Sequence, residues 1–190
     1  MPMKKIKNNV TQKEYTLLIE NIKGSNLREQ TKRNLLFTYV LLYYTGTRLN
    51  EIQVLYAKDV ISLLNDDLII YTKKTHTERK LFISEQGKKD IKKILGTYFD
   101  NPQDKVIQKL GHTESSIHPI SYINLVNKHM KKVLGDRFTS HSFRQGLLTE
   151  MGAKSVNPKI IQHFIGHKSI KTTLNYITPS NNDIQNALVR

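Results

Sequence analysis

Cysteine is absent from this 190-residue sequence, and every kind of site that needs a thiol is excluded with it. The chain has no disulfides, no thiolate zinc site and no cysteine nucleophile. It also lacks an apolar run long enough for a membrane-spanning helix. The first ten residues, MPMKKIKNNV, are basic but contain no apolar segment of the kind that a secretory signal needs. These absences predict a soluble protein.

Acidic residues are scarce, with 16 Asp and Glu against 30 Lys and Arg, a net charge of +14 and a pI near 9.8. Such an excess predicts a polyanionic partner, either nucleic acid or an anionic membrane surface. Nucleic acid is favoured because the sequence has no isolated basic amphipathic helix. We therefore expect a cytoplasmic protein associated with DNA in the nucleoid.

Arginine is scarce as well, with 7 of the 30 basic residues against 23 lysines. An arginine in an apolar setting then suggests a need for its planar fork of donors, which lysine cannot supply. Arg48 and Arg144 are the two arginines in such settings.

The spacing of apolar residues predicts a mostly helical α+β fold. Helices are expected over about 11–22, 28–44 and 120–135, and again after His141, where apolar residues recur every three or four positions. Three short β-rich runs predict a small three-stranded antiparallel sheet: Val60-Ile61, Leu68 to Tyr71 and Leu81 to Ile83. The length suits one domain over 1–190, ending in a tail helix over 179–190.

The stretch from His141 to Tyr176 contains the first candidate functional residues. His141 and Arg144 are three residues apart, so a helix places both on one face. An arginine in this apolar segment is costly to bury unless an anion meets it. Alternatively, a single His-x-x-Arg pair is structural, and Arg48 simply caps its helix or pairs with Glu51.

Six polar residues are poorly explained as surface residues, namely Arg48, Lys74, His141, Arg144, His167 and Tyr176. Their chemistry fits a phosphodiester, because arginine binds phosphate oxygens in pairs and a tyrosine can act as a nucleophile. The sequence shows no cluster of carboxylates to hold a metal. His163 and His167 are four apart, but Gly166 interrupts the helix between them and no acidic partner follows. A zinc site is therefore not favoured.

Several ordered motifs together resemble the catalytic domain of the tyrosine recombinase (phage integrase) family, from about residue 10 to 178. They are TGTRLNEI at 45–52, the turn containing Lys74, HSFR at 141–144, GHKS at 166–169 and TTLNY at 172–176. The resemblance implies site-specific recombination of double-stranded DNA through a covalent 3′-phosphotyrosine. It implies no metal and no nucleotide cofactor. It also implies a tetramer on two DNA sites, with a monomer possible in the absence of DNA.

The resemblance also implies a role for each motif residue. Tyr176 would attack the scissile phosphate, and Arg48 and Arg144 would clamp its non-bridging oxygens. His141 would accept the proton of the tyrosine, and His167 would hydrogen-bond the phosphate.

Two further roles concern the hairpin turn and the first arginine. Lys74 would protonate the leaving 5′ oxygen; the adjacent Lys73 is an alternative, and the spacing to Glu78-Arg79 favours Lys74. Glu51 matches an acidic position that supports the first arginine. One departure is Gln145, where the family frequently has a basic or imidazole residue.

The second departure is the expected absence of the family's N-terminal DNA-clamping domain. Either the chain resembles the short fimbrial-type DNA invertases, or it is an excised catalytic domain. Two other functions remain open: a catalytically silent DNA-binding regulator with the same fold, and DNA relaxation of the type IB topoisomerase kind. The tail, with Ile184 and Leu188 on one face, could dock on its own core or on a neighbouring subunit.

Overall fold

The computed structural model describes residues 8–72, 77–98 and 101–177, and these ranges contain nine helices and one two-stranded sheet. Lys74 and the predicted tail helix over 179–190 lie outside the described residues. In chain order the elements are α1 (Gln12–Lys23), α2 (Glu29–Thr45), α3 (Leu49–Gln53), α4 (Ala57–Leu64), β1 (Ile69–Thr72), β2 (Thr77–Lys80), α5 (Glu85–Tyr98), α6 (Pro119–Leu134), α7 (Ser140–Ala153), α8 (Pro158–Ile165) and α9 (Ile170–Leu174). None of the helices in this part of the chain is long and apolar enough to cross a membrane.

The predicted fold class is confirmed, since the chain is mostly helical and carries a small antiparallel sheet. β1 pairs with β2, with Ile69 opposite Lys80 and Thr72 opposite Thr77. Two of the three predicted strands are wrong in position. Val60 and Ile61 lie in α4, and the strand predicted at Leu81 to Ile83 lies earlier, at Thr77–Lys80. Beyond β2, Leu81 adds a backbone hydrogen bond of 2.9 Å to the carbonyl of Leu68.

Helical signals outweigh the β preference of Val60 and Ile61. Ala57, Val60 and Leu63 recur every third residue and are all buried, so α4 presents one apolar face to the core. The carboxylate of Asp59 accepts a hydrogen bond of 2.8 Å from the backbone N–H of Tyr56, which fixes the start of the helix. Local capping and a three-residue repeat therefore decide the structure of this segment.

Helix α2 forms the centre of the main core. It packs against α1, α5 and α7, and its residues from Arg33 to Leu42 are buried along the whole length. The largest wholly buried side chains of this core are Tyr39, Tyr122, Phe37 and Phe143. A second, smaller apolar cluster lies towards the C-terminal half of the chain and contains Leu148, Ile161 and Ile165.

Two left-handed glycines end α2 and α8 and bring those ends together. Gly46 ends α2 with φ of +60°, and Gly166 ends α8 with φ of +70°. A Cβ on Gly46 would lie 2.6 Å from Cδ1 of Ile165, the last residue of α8. The absence of a side chain at Gly46 therefore lets α8 approach the end of α2.

The N-terminal segment crosses α7 at a third glycine. The backbone N–H of Val10 donates to the carbonyl of Ser142 at 3.0 Å, and Val10 is buried. A Cβ on Gly146 would lie only 2.1 Å from the carbonyl oxygen of Val10. Because α7 carries His141 and Arg144, this contact fixes the helix that holds two of the candidate residues.

Replacing Gly146 by alanine is expected to lower the free energy of unfolding by about 1–3 kcal/mol, because the new methyl group must displace the backbone at Val10. Gly24→Ala is the matched control, since its Cβ would meet nothing nearer than 3.6 Å and its φ is −83°. Urea unfolding of both variants measures the difference. Equal effects of the two substitutions would contradict the close approach at Gly146.

Candidate active site

Arg144 lies on the buried face of α7, and only 7% of it is exposed. Its Nη1 donates to the carbonyl of Gly46 at 2.8 Å, and its Nη2 donates to the carbonyl of Ile165. These carbonyls belong to the ends of α2 and α8, where helices leave carbonyl groups unpaired and carry partial negative charge. The partners of Arg144 in this chain are therefore helix ends, and the interpretation that burial alone requires an anion is too narrow.

Burial removes the guanidinium of Arg144 from water, which is unfavourable for its charged form. Burial lowers its pKa to about 9, and the positive charges of Arg48 and Arg79 act in the same direction. An additional negative charge at this place would therefore be stabilised by several cations already held together.

Arg48 begins α3 and pairs with Glu51. Its Nη1 lies 2.8 Å from Oε1 of Glu51, and its backbone N–H donates to Oε2 of the same carboxylate at 2.8 Å. The alternative of a capping and pairing role is thus part of the structure. The Arg48 side chain nevertheless stays one-fifth exposed (20%), whereas the Glu51 side chain is 3% exposed. Glu51 holds one terminal nitrogen of the Arg48 guanidinium, and the side chain remains partly exposed.

Glu51 joins three elements. Besides Arg48, it accepts hydrogen bonds from Oγ1 of Thr72 at 2.9 Å and from Nη2 of Arg79 at 3.1 Å. Burial alone would raise the pKa of Glu51, but Arg79 and the contacts of Arg48 outweigh it and the pKa is lowered. The carboxylate is therefore ionised at neutral pH and holds two arginines.

Arg79 is a site residue that the sequence interpretation did not identify, because it served there only to fix the spacing from Lys74. A signal was available in the strand itself. Arg79 is two residues before the buried Leu81, so the alternation of a strand places both on one face. An arginine in phase with a core leucine indicates a buried ion pair.

Arg48, His141 and Arg144 line one cleft of about 390 Å³. Residues from α6 complete its wall, among them Ile123 and Asn127. His141 is the second residue of α7 and is exposed at the mouth of this cleft. Arg144 lies one turn further along the same helix. The predicted pairing of these two residues on one helix face is thus present.

His167 and Tyr176 belong to the part of the chain after α8 and lie near the same arginines. Their ring centroids are 6.5 Å apart, and Nδ1 of His167 shares a hydrogen bond of 3.0 Å with Oγ1 of Thr173. Burial lowers the pKa of His167 to about 4, and the charges of Arg144 and Arg48 add to the effect. His167 is therefore neutral at neutral pH and acts as a hydrogen-bonding group.

Tyr176 lies in the turn that follows α9. Its backbone N–H donates to the carbonyl of Thr173 at 3.0 Å, and its half-buried ring packs against the second apolar cluster. The ring of Tyr176 is therefore held by apolar packing as well as by the backbone of its turn. The tyrosine lies beside His167, which is two residues after the Ile165 carbonyl that binds Arg144 of the same chain.

The structure thus brings together five of the six predicted catalytic residues, and Glu51 holds Arg48 among them. Lys74 belongs to the segment 73–76 between β1 and β2, outside the described residues. Within residues 8–72, 77–98 and 101–177, no group of three or more His, Asp or Glu side chains could hold a metal ion.

Comparison with known proteins identifies the chain's relatives. The sequence pattern of the phage integrase family matches residues 8–183. Tyrosine recombinase XerA from Pyrococcus horikoshii is 30% identical over 149 residues, which cover 78% of this chain and 52% of that protein. The chain therefore spans about half the length of this relative.

Solved structures share the fold at lower identity. The Tn1549 transposon integrase in complex with a circular intermediate DNA gives a TM-score of 0.74 at 19% identity, over 98% of this chain and 66% of that one. XerH site-specific recombinase bound to its difH substrate gives a TM-score of 0.67 at 18% identity, over 98% and 55%. Since the family pattern covers nearly all of the sequence and the fold agrees, this chain belongs to the phage integrase family.

Proposed function

We propose that this chain is the catalytic domain of a site-specific recombinase, which cleaves and rejoins double-stranded DNA through a covalent 3′-phosphotyrosine. The observation that carries the proposal is the meeting of Arg48, His141 and Arg144 in one cleft, with His167 two residues after a carbonyl that Arg144 binds and Tyr176 beside His167. Relatives named recombinases, and neighbours solved with DNA, support the choice of substrate. The net charge of +14 suits a phosphate backbone.

The two arginines bind the scissile phosphate. The two carbonyl contacts of Arg144 use two of the five N–H donors of a guanidinium, so donors remain for phosphate oxygens. Arg48 faces the same cleft and is held by Glu51. Positive groups fixed before the substrate arrives stabilise the charge that develops on the oxygens during phosphoryl transfer. In this scheme the arginines supply the charge that other enzymes take from a metal ion, and no cofactor is required.

The chemical step is an in-line displacement at phosphorus. The hydroxyl oxygen of Tyr176 forms a bond to the phosphorus while the bond to the 5′ oxygen of the next nucleotide breaks. His141 accepts the tyrosine proton, and Lys74 supplies a proton to the leaving 5′ oxygen. His167, neutral before DNA binds, donates a hydrogen bond to a non-bridging oxygen. Reversal of the step by a 5′ hydroxyl from another strand rejoins the DNA and frees Tyr176.

The proposed partner is duplex DNA, and exchange between two sites calls for four copies of the chain. We expect a tetramer on two DNA duplexes and a monomer without DNA. We expect the protein to act on DNA in the cytoplasm.

A pool of nicked duplexes with randomised sequence tests the function. The nick lets the short 3′ fragment diffuse away after cleavage, so the covalent intermediate accumulates. We expect an adduct that resists SDS, and its tryptic phosphopeptide should contain Tyr176. Sequencing of the trapped DNA should show one preferred site. Failure to trap any adduct from the pool would overturn the proposal and leave the silent DNA-binding regulator.

A second readout separates recombination from simple relaxation. Plasmids that carry two copies of the trapped sequence should yield products with defined junctions. Relaxation of supercoils without such junctions would instead indicate a topoisomerase of type IB.

His141 gives a prediction about the proton transfer. Replacing it by glutamine is expected to slow single-turnover cleavage by about 10²–10⁴-fold, because the tyrosine loses its general base. The side chain is exposed at the cleft mouth, so the fold should be unaffected. His112→Gln, at an exposed position in the segment before α6, is the control and should cleave at the wild-type rate. Wild-type cleavage by His141→Gln would remove His141 from the mechanism.

A further inference from the structure

We propose that Arg79 is a positioning residue for strand cleavage: from β2 it joins Glu51 to the last turn of α8, and so fixes Arg48 and His167 relative to one another. The inference rests on the proposed function, because it names a residue that arranges the same site. Arg79 does not line the cleft that contains Arg48, His141 and Arg144. Its action on the reaction is indirect, through the residues that it holds.

The contacts of Arg79 point in two directions. Its Nη2 donates to Oε2 of Glu51 at 3.1 Å, and its Nη1 donates to the carbonyl of Phe164 at 2.9 Å. Only 7% of the residue is exposed. The guanidinium is planar and rigid, so its two terminal nitrogens hold both acceptors at a fixed separation. A lysine at this position has a single nitrogen and cannot reproduce that spacing.

Two arginines from different elements hold the end of α8. Arg79 binds the carbonyl of Phe164, and Arg144 binds the carbonyl of the next residue, Ile165. Gly166 and His167 follow directly. The backbone that leads into His167 is therefore held by β2 on one side and by α7 on the other, while the ring itself is hydrogen-bonded to Thr173. Loss of Arg79 would leave the turn held from α7 alone.

The backbone at Gly166 packs closely against the Arg79 side chain. A Cβ on Gly166 would lie 2.9 Å from Cδ of Arg79, and the glycine has φ of +70°. The absence of a side chain at Gly166 thus lets the turn before His167 lie against the stem of Arg79. This contact joins the backbone at His167 to the same side chain that holds Glu51.

The buried Arg79 is expected to contribute little net stability to the fold. Burial lowers the pKa of Arg79 although Glu51 opposes the shift, and within the described part of the chain its Nε is buried without a hydrogen-bond partner. Buried ion pairs often contribute little net stability, because desolvation offsets their attraction. An apolar residue at position 79 could bind neither Glu51 nor the carbonyl of Phe164. We therefore assign the role of Arg79 to the geometry of these two contacts.

Arg79→Lys separates positioning from binding. Single-turnover cleavage of the trapped duplex is expected to fall by about 10²-fold, because a displacement of about 1 Å in a reacting group costs that much. The Kd for the same duplex, measured by fluorescence anisotropy, should stay near the wild-type value, because the arginine clamp and the surface lysines remain. The matched control is Arg33→Lys in α2, a buried arginine that donates to the carbonyl of Lys105 at 3.1 Å. The control should cleave at the wild-type rate.

A readout without DNA complements the kinetics. The ring resonances of His167, assigned by their loss in His167→Gln, should shift in Arg79→Lys and stay in place in Arg33→Lys. Gly166→Ala serves as the second variant if Arg79→Lys does not fold. Its methyl group displaces the Arg79 stem and, at φ of +70°, strains the turn before His167, while both charges remain; the same slow cleavage is expected. Cleavage at the wild-type rate by a folded Arg79→Lys or Gly166→Ala would overturn the inference, as would equal losses in Kd and rate. Absence of an adduct with the wild-type chain would instead overturn the proposed function itself.

Discussion

Phenylalanine at position 176 is expected to abolish the covalent adduct on the nicked duplex. The substitution removes the hydroxyl that would form the bond to phosphorus. Removal of a covalent nucleophile slows a reaction by up to about 10⁶-fold. The remaining cleavage would not be detected in a gel assay. The ring itself is kept, so its packing on the cluster around Leu148 and Ile161 should persist. The free energy of unfolding is expected to change by less than about 1 kcal/mol.

The control for this variant is Tyr71→Phe, at a half-exposed tyrosine of β1. It loses the same hydroxyl and should form adduct at the wild-type rate. DNA affinity should be retained by both variants, because the cations of the cleft are unchanged. An adduct that survives Tyr176→Phe, together with a phosphopeptide from another tyrosine, would show that Tyr176 is not the nucleophile.

The geometry also predicts in which subunit the tyrosine acts. The ring centroid of Tyr176 lies 6.5 Å from that of His167 in its own chain, and His167 is two residues after the Ile165 carbonyl that binds Arg144. We expect each subunit to use its own tyrosine. A mixture of Tyr176→Phe with an Arg144 variant should therefore form no adduct, since neither chain contains a complete site. Recovery of cleavage in the mixture would show that one subunit donates its tyrosine to another.

Local sequence signals predicted much of the helical fold and the order of the motifs. The repeat of apolar residues predicted α1, α2 and α6, and in the structure the capping hydrogen bonds of Thr11 and Glu14 fix the start of α1. The same kind of local signal explains the error at Val60 and Ile61. Their β preference is weak compared with a capped turn and a buried face, which needed to be weighed over the whole of α4.

What sequence could not reveal are contacts between distant segments. The Arg144 side chain meets a carbonyl 98 residues earlier, and Arg79 meets one 85 residues later. Such partners are backbone atoms, so no residue type marks them in the sequence. They exist only because two helix ends, at Gly46 and Ile165, come together in the folded chain. The sequence therefore pointed to the motif residues and to Glu51, but not to the backbone carbonyls that bind Arg144 and Arg79.

Replacing Arg144 by lysine is expected to impair both the fold and the reaction. The guanidinium of Arg144 spans the carbonyls of Gly46 and Ile165, and an ammonium group can reach only one of them. The unpaired carbonyl should cost about 1.5–3 kcal/mol in the free energy of unfolding. Loss of donors to the phosphate should slow cleavage by about 10²–10³-fold. Thermal unfolding and single-turnover cleavage measure the two effects.

Arg28→Lys is the control, because Arg28 is exposed at the start of α2 and the same substitution there should leave stability and cleavage unchanged. The two effects of Arg144→Lys can be separated by temperature. Cooling stabilises the folded variant enough to measure it, but it restores no second nitrogen to the phosphate. The rate defect should therefore remain when circular dichroism shows a fully folded protein. Recovery of the wild-type rate on cooling would mean that Arg144 only joins the ends of α2 and α8, with Arg48 left as the sole arginine on the phosphate.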